Sequence, residues 1–504
     1  MSLATRNSVL AVVVESTEGT PVAPSAATDY TALQDGFTMT PSFALLENAE
    51  LTGSIAPAKS VKGVENPAGS MSHYIRHSGV VAQAPDYAEF LYNLMGSTAT
   101  RSTERDTVGG STTTVVNVDA GEGAEFQRGD ALLVKHASNA WEIRNVLSVS
   151  TDALTLTQAL ANAPALGVNL GRNVVYRPVN SGHPTHSVWL YRGNVAAGAI
   201  EMMSGARVSS MSVEVTAGEY INASFDFQGL KYYYDPIEIT ASDIYFDFDD
   251  GGGEENAVIT AKIYRDPYEL AEAVQTAMQA LTGDTITVSY DDSASAGKFS
   301  ISSTGGTLSL LWNTGTNAAN TGGDKLGFSV AADDTGSTSY LADNAISKAS
   351  PYTPSLDSAD PFVAKYNEVL LGSSASQVSC FCASSITISV ENTIADVLCV
   401  CAESAKNASV VSGRAVTVEI SALLEDHQAE EFKNFRANDK MLFTFNCGER
   451  SSGNWVAGKT ANFHSPTMVI NEISLDDADG LVQLNMTLAA YSESGLGEFY
   501  INFL

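Results

Sequence analysis

Apolar and polar residues alternate with a period of two along much of this chain. Met211, Val213 and Val215 alternate with Ser210, Ser212, Glu214 and Thr216. Beyond Ala217-Gly218-Glu219, Ile221, Ala223, Phe225 and Phe227 alternate with Asn222, Ser224 and Asp226. Successive side chains of a strand point to opposite faces. The pattern therefore predicts a hairpin over 206–229 with one apolar face and one small, polar, mildly acidic face. Ile386, Ile388 and Val390 repeat the alternation against Ser385, Thr387, Ser389 and Glu391, as do Val416, Val418 and Ile420 against Thr417 and Glu419. Further strand-like runs fall at 441–446, 467–474, 481–488 and 498–504.

Helical signals are few. Pro85-Asp86-Tyr87-Ala88-Glu89 opens one helix, with Asp86 as N-cap, Phe90, Leu91 and Leu94 as core face, and Gly96 as stop. A second starts at Asp266-Pro267, carries the stripe Leu270, Val274, Ala277, Met278 and Leu281, and ends at Gly283. A third is predicted over 423–436, with Leu424, Phe432 and Phe435 inward.

Two stretches read as insertions. The first, 101–175, opens with the polar run Arg101 to Thr114 and then packs short strands at 115–118, 131–134, 141–149 and 154–156, which suggests a small barrel or sandwich. The second, 235–352, reads strand, strand, helix, then three strands, with a looped tail from Leu310 to Leu341 rich in Gly, Thr, Asn and Asp.

Composition narrows the class. At 504 residues and 44% hydrophobic content the chain can bury ample core in two to four domains. Only 17% of residues are charged, so small polar residues must cover the surface. Lys and Arg number 27 against 58 Asp and Glu, a net charge of −31. So negative a surface repels phosphate and excludes a protein that grips nucleic acid. It suits an acidic protein kept dispersed by self-repulsion, or a surface that DNA passes without sticking. No run reaches the ~20 apolar residues of a membrane helix. The run Val9 to Val14 is too short for a signal-peptide core, which points to synthesis and assembly in a cytoplasm.

Candidate chemistry is sparse. Cys380-Phe381-Cys382 and Cys399-Val400-Cys401 would put paired sulfurs on one face of a strand, so zinc is conceivable, although C-x2-C is the commoner spacing. Reduced, buried cysteines are the ordinary reading of these pairs and of Cys447. Among the histidines His73, His77, His136, His183, His186, His427 and His464, the close pairs 73/77 and 183/186 lack further ligands and read as turn or surface residues. Asp247-Phe248-Asp249-Asp250-Gly251-Gly252-Gly253-Glu254-Glu255 lacks the calcium-loop register and reads as a solvated turn. No nucleophile elbow, phosphate loop or zinc-protease helix occurs, so neither catalysis nor a cofactor or metal is expected.

In order along the chain, these segments resemble tail tube proteins of long non-contractile (siphovirus-type) phage tails. The resemblance is carried by Ala11-Val12-Val13-Val14-Glu15-Ser16-Thr17-Glu18-Gly19-Thr20-Pro21 and by Leu46-Glu47-Asn48-Ala49-Glu50-Leu51-Thr52-Gly53 with its extended sequel to His77. The hairpin 206–229, Ser385 to Glu391 and Phe463-His464-Ser465-Pro466 complete it. It covers about 1–97, 176–234 and 353–504. It implies a mainly β fold, a two-sheet β-sandwich core with a flanking helix. The core would comprise 1–100 with its N-terminal arm and long loop, 176–234 and 353–504, interrupted by an inserted small β module at 101–175 and an inserted α+β decoration module at 235–352. Leu308-Ser309-Leu310-Leu311-Trp312 and Leu326-Gly327-Phe328 make the second insertion similar to a module recurring in phage structural proteins.

The resemblance further implies homohexameric rings stacked into a tube in the virion, a lumen for transient, non-specific DNA passage, and no membrane insertion. Tape measure, tail terminator and tail tip proteins would be partners. Ser210, Ser212, Glu214, Asn222, Ser224 and Asp226 are then the candidate lumen face. Glu15, Glu18, Glu47, Glu50 and Leu51 are candidate inter-ring or inter-subunit contacts. A capsid decoration protein, a tail-terminator-like protein, or a receptor-binding or glycan-active tail protein is the alternative. Self-polymerisation, capsid binding and glycan binding distinguish the three.

Overall fold

The computed structural model describes residues 5–504 apart from 51, 52, 54, 57, 137, 294–296, 375, 376, 381, 425–428, 479 and 494–496. The fold is mainly β, with three α-helices among the described residues. The alternating segments form one antiparallel run. Thr38–Thr40 pairs with Ala68–Tyr74, then come Asn222–Gln228, the second half of Ala199–Thr216, Ala383–Leu398, Lys406–Leu423, Leu481–Ala490 and the second half of Asn454–Ala478. We call this the polar sheet, after its outer face.

Two strands outlast the sheet and serve a second layer. The first half of Ala199–Thr216 pairs with His186–Arg192 and Lys231–Tyr234, and Val9–Val14 lies beyond His186–Arg192. The first half of Asn454–Ala478 pairs with Met441–Ser451 and Tyr500–Phe503. Gly205 lies between the two halves of its strand at φ +65°, where a Cβ would sit 2.6 Å from the Leu230 side chain, and a register shift follows at Val208/Ser210. Bulges and left-handed glycines let a strand turn from one layer to the next. Met211, Val213, Phe225, Ile388 and Val418 of the polar sheet share one buried core with Val188, Phe443, Phe463 and Phe503 of the second layer.

The first helix is Ala88–Met95 (α1), flanking that core with Phe90 against Phe225 and Phe227 at ring distances of 5.6 and 5.7 Å. Gly96 ends it in the left-handed region as expected, but Asp86 is no N-cap. Its carboxylate instead accepts from Arg76 at 2.6 Å and lies 3.3 Å from His73, in and just after the strand Ala68–Tyr74. The second helix, Pro267–Gln279 (α2), is capped by Asp266 as predicted, but it stops at Gln279 and leaves Leu281 exposed. The third, predicted over 423–436, is described as Ala429–Ala437 (α3); Leu423 ends a strand, and 425–428 lie outside the described residues. Leu424 and Phe435 are exposed, and Glu431 and Asn434 are buried instead.

Each inserted stretch has a core of its own. In the first, the strands Val115–Asn117, Ala153–Leu156, Trp141–Ser150 and Ala131–Lys135 make a four-stranded sheet over Val116, Leu132, Val146 and Leu154. It is locked to the sandwich by buried amides. Asn145 and Asn462 donate to each other at 2.8 and 3.1 Å, Asn462 donates to Asn446 at 2.7 Å, and Asn502 donates to Asn462 and to the Gly129 carbonyl at 3.1 Å. The second has four short strands before α2 and five after it, more than predicted, over Phe246, Leu270, Phe299 and Trp312. Its ends are closed by the Lys348–Asp235 ion pair at 2.6 Å. Arg265 also reaches the buried Glu65 at 2.7 Å and Glu403 at 2.9 Å. The acidic stretch 247–255 is a hairpin turn, except that Asp247 is buried and accepts from the Asn317 amide at 2.7 Å.

The histidines are not surface residues. His73, His77, His136, His183, His186 and His464 are all buried, and His427 lies outside the described residues. The cysteines depart from expectation too. Cys382 and Cys401 are exposed, Cys399 is half-buried, and only Cys447 of the described thiols is buried. Cys399 and Cys401 sit in the turn after Leu398, so no strand presents them on one face.

Two outcomes follow. Removing Asn462 strips partners from three buried amides, and each orphaned group costs ~1–3 kcal/mol. Asn462→Ala should therefore destabilise by about 3–5 kcal/mol in urea unfolding, and a loss under about 1 kcal/mol would contradict the lock. Burial lowers His464 to about 3 and His77 and His183 to about 4. The unfolded chain takes up these protons first, near pH 6.5. Stability should thus be fully present above pH 6.5 and fall as the pH drops towards 4 and 3. His464→Gln should flatten the stability–pH slope in that window by up to about 1.4 kcal/mol per pH unit; an unchanged slope would contradict the assignment.

Candidate functional site

The apolar side chains of the polar sheet must face the core, so strand pleating fixes what faces outward. Register lines the outward residues into rows across the strands. One row is Ser70, Asp226, Ser210 and Glu391; the next is Ser72, Ser224, Ser212, Ser389 and Thr417; a third is Asn222, Glu214, Thr387, Glu419, Thr487 and Glu472. Ser210 donates to Asp226 at 2.8 Å, and Ser421 donates to Asn485 at 2.7 Å. None of these positions carries Lys or Arg. The six candidate lumen residues all lie on this face. Glu391, Glu419 and Glu472 extend it and escaped the sequence reading. The alternation at 385–391 and 416–420 marked two of them as outward, but pairing between distant segments was needed to bring them together.

The sheet ends in two open edges. Thr38–Thr40 covers Ala68–Ser70, so among the described residues Met71–Tyr74 pairs on one side. At the far edge, Val469–Ala478 pairs with Leu481–Ala489, and among the described residues no strand takes its other side. Unpaired backbone groups of this kind are a template for another chain.

The other candidates separate. Glu15 is buried, and its carboxylate accepts from Thr185, Ser187 and the Gly19 and Gly205 amides at 2.8–2.9 Å. Burial raises its pKa, and these donors oppose the shift. Both oxygens are thus engaged within the subunit. Glu18 is half-buried against Arg207 at 2.8 Å and Ser409. Glu47 and Glu50 are exposed, beyond the two-stranded hairpin Phe43–Leu46/Val61–Glu65; Leu51 lies outside the described residues.

Among the described residues no three His, Cys, Asp or Glu side chains are grouped to hold a metal, and no helix is long and apolar enough to cross a membrane. The buried His73–Asp86–Arg76 cluster is structural. Burial raises the Asp86 pKa, but His73 and Arg76 outweigh it and hold the group below its ordinary value. The Asp86 amide donates to Asp357 at 2.7 Å, tying the distant 357 segment to the entry of α1.

Faces assigned by register can be tested by paired substitutions. Ser212→Asp should change stability by less than about 0.5 kcal/mol, whereas Val213→Asp buries a carboxylate and should cost about 4 kcal/mol or more. Equal costs in urea unfolding would contradict the assignment.

A family model described as phage tail tube protein matches residues 5–263, slightly more than half of the chain. No curated protein matches it.

Proposed function

Because the chain belongs to the phage tail tube protein family, we propose that its copies close into hexameric rings through the two open edges of the polar sheet, with that sheet lining the channel. The family places the protein in the virion tail and assigns it a structural part in building the tube. The finer reading rests on one observation: a polar face without Lys or Arg runs unbroken across the strands and stops at two unpaired edges.

A lone sheet leaves those edge donors and acceptors to water, whereas a closed barrel satisfies all of them. The edge 469–478 of one subunit would pair beside 71–74 of the next. Each carboxylate of the face would then recur around the ring. Such a wall offers the DNA backbone no cation to pair with, and cation–phosphate contacts are what make DNA stick. Salt screens over ~10 Å at ~0.1 M, so the repulsion acts at short range. The inserted stretches 101–175 and 235–352 add no strand to the polar sheet and would sit outside the wall. Tape measure, terminator and tip proteins would meet the tube inside and at its ends. The reading requires no catalytic step and no cofactor, and the non-contractile tail type is carried by the sequence resemblance alone.

Electron microscopy of the purified chain should show rings and hollow rods; a strictly monomeric protein, even at high concentration or on tail initiators, would overturn the reading. Glu214→Lys with Asp226→Lys should leave rings intact yet slow DNA ejection, most at low salt. Unchanged ejection from virions built with that variant would contradict a lumen-facing sheet.

A further inference from the structure

The first inserted stretch closes over an outward face of the second layer. Strand Gly96–Arg101 pairs with strand Asn173–Pro178, with Arg101 opposite Asn173, Ala99 opposite Val175 and Ser97 opposite Arg177. Val174 and Tyr176 belong to the common core, so pleating turns those three pairs to the other side. There the segment Phe126–Asp130 of the insertion meets them. The Arg101 guanidinium lies over the Phe126 ring at 4.5 Å, and Asp130 accepts from Arg177. Strands and segment enclose a cavity of about 320 Å³, whose lining includes Arg101, Asn173, Arg177, Gln127 and Asp130.

Arg101 is the member without a partner. Only 7% of the residue is exposed, and none of its guanidinium nitrogens has a hydrogen-bond partner among the described residues. Stacking on Phe126 engages the face of the guanidinium and leaves its N–H edge unmet. Burial draws its pKa down to about 10, while Asp130 and Glu125 nearby favour the charge, so it stays a cation at neutral pH. Those carboxylates are engaged elsewhere. Asp130 holds Arg177 and accepts from the Gln127 amide at 2.9 Å; Glu125 holds Arg105, whose Nε donates at 2.9 Å. A buried charge without a hydrogen-bonded counter-ion is costly. Across the strand pair, the buried Asn173 donates to the Ala131 carbonyl at 3.4 Å and to Asn502 at 3.3 Å, but its Oδ1 accepts from no donor among the described residues. One cavity therefore holds an orphaned cationic donor and an orphaned neutral acceptor.

We propose that this cavity is a binding site for inorganic phosphate, with two phosphate oxygens on the Arg101 fork and the P–OH donating to Asn173 Oδ1. A guanidinium matches the paired oxygens of phosphate and of carboxylate alike. The orphaned acceptor decides between them. Monohydrogen phosphate has a proton to give, whereas a carboxylate, sulfate or the dianion of a phosphate monoester has none. Arg101 stands on a strand of the second layer and Phe126 on the insertion, so the bound anion would brace one against the other. The site draws on a single subunit and does not depend on how subunits assemble.

The test is titration of the full chain, freed of phosphate by dialysis, with inorganic phosphate at constant ionic strength and about pH 8, followed by calorimetry and by phosphorus NMR. The parent should bind one phosphate per chain with a Kd below about 1 mM. Arg101→Gln should weaken binding by about tenfold or more, the loss expected when a charge-assisted contact goes. Should that variant fail to fold, Arg101→Lys keeps the charge and the stem, loses the fork, and should weaken binding in the same direction. Lys262→Gln, in the other insertion, should bind within about twofold of the parent and so controls for general screening of an acidic chain. Sulfate and methyl phosphate, which bring no proton for Asn173, should each bind at least about fivefold more weakly than phosphate. No saturable phosphate binding by the parent, an equal Kd in the Arg101 variants, or sulfate or methyl phosphate binding as tightly as phosphate would overturn the proposal.

Discussion

Val213 lies opposite Ile388, and Glu214 lies opposite Thr387. A slip of one residue would exchange these roles along the whole strand, driving carboxylates into the core and valines into water. The core forbids that slip, because Val213, Ile388 and Val418 are wholly buried beneath α1 and the second layer. Hydrophobic burial on one side therefore dictates, residue by residue, the chemistry of the other side. The cation-free face is a consequence of this constraint together with the choice of Ser, Thr, Asn, Asp and Glu at the outward positions. The same constraint delivers the two open edges, since the rows of the face end where the strand pairing ends.

The two inserted stretches are attached by different physics. The first is held by a buried amide network and by Leu133 and Ile143 packed on Trp455 and Leu504, so it is continuous with the sandwich interior. The second keeps its own core and reaches the rest mainly through ion pairs at its neck and at Arg265. Arg265 matters beyond attachment. Glu65 is almost fully enclosed, and removing its partner would leave a buried charge uncompensated. The second insertion thereby stiffens the end of the subunit that carries the exposed hairpin.

Much of this was legible in the sequence because it is local. Alternation at 206–229 yielded the hairpin and its faces, and Asp266-Pro267 marked the start of α2 through capping chemistry that needs only four residues. What the sequence concealed was non-local. Asp86 has the spacing of an N-cap, but His73 and Arg76, from the end of the preceding strand and just beyond it, claim its carboxylate. Glu15 reads as a surface acid until Thr185, Ser187 and Gly205 enclose it. The histidines look like turn residues because nothing in a lone sequence shows His464 stacked beside Tyr500 or His77 against Phe503. The short strands of 235–352 fell below the length at which alternation can be told from a loop. The face itself was half legible: each strand announced its outward residues, but which strands stood side by side depended on pairings across more than a hundred residues.

The central claim is that the outward face of the polar sheet becomes the wall of a channel, closed by pairing between unlike strand edges. A cryo-electron microscopy reconstruction of the assembled tube at side-chain resolution tests it most directly. The account predicts Glu214, Asp226, Glu391 and Glu419 projecting into the lumen, with the 469–478 edge of each subunit hydrogen-bonded beside 71–74 of its neighbour. A map that places these carboxylates on the outer surface, or joins subunits through other strands, would contradict it.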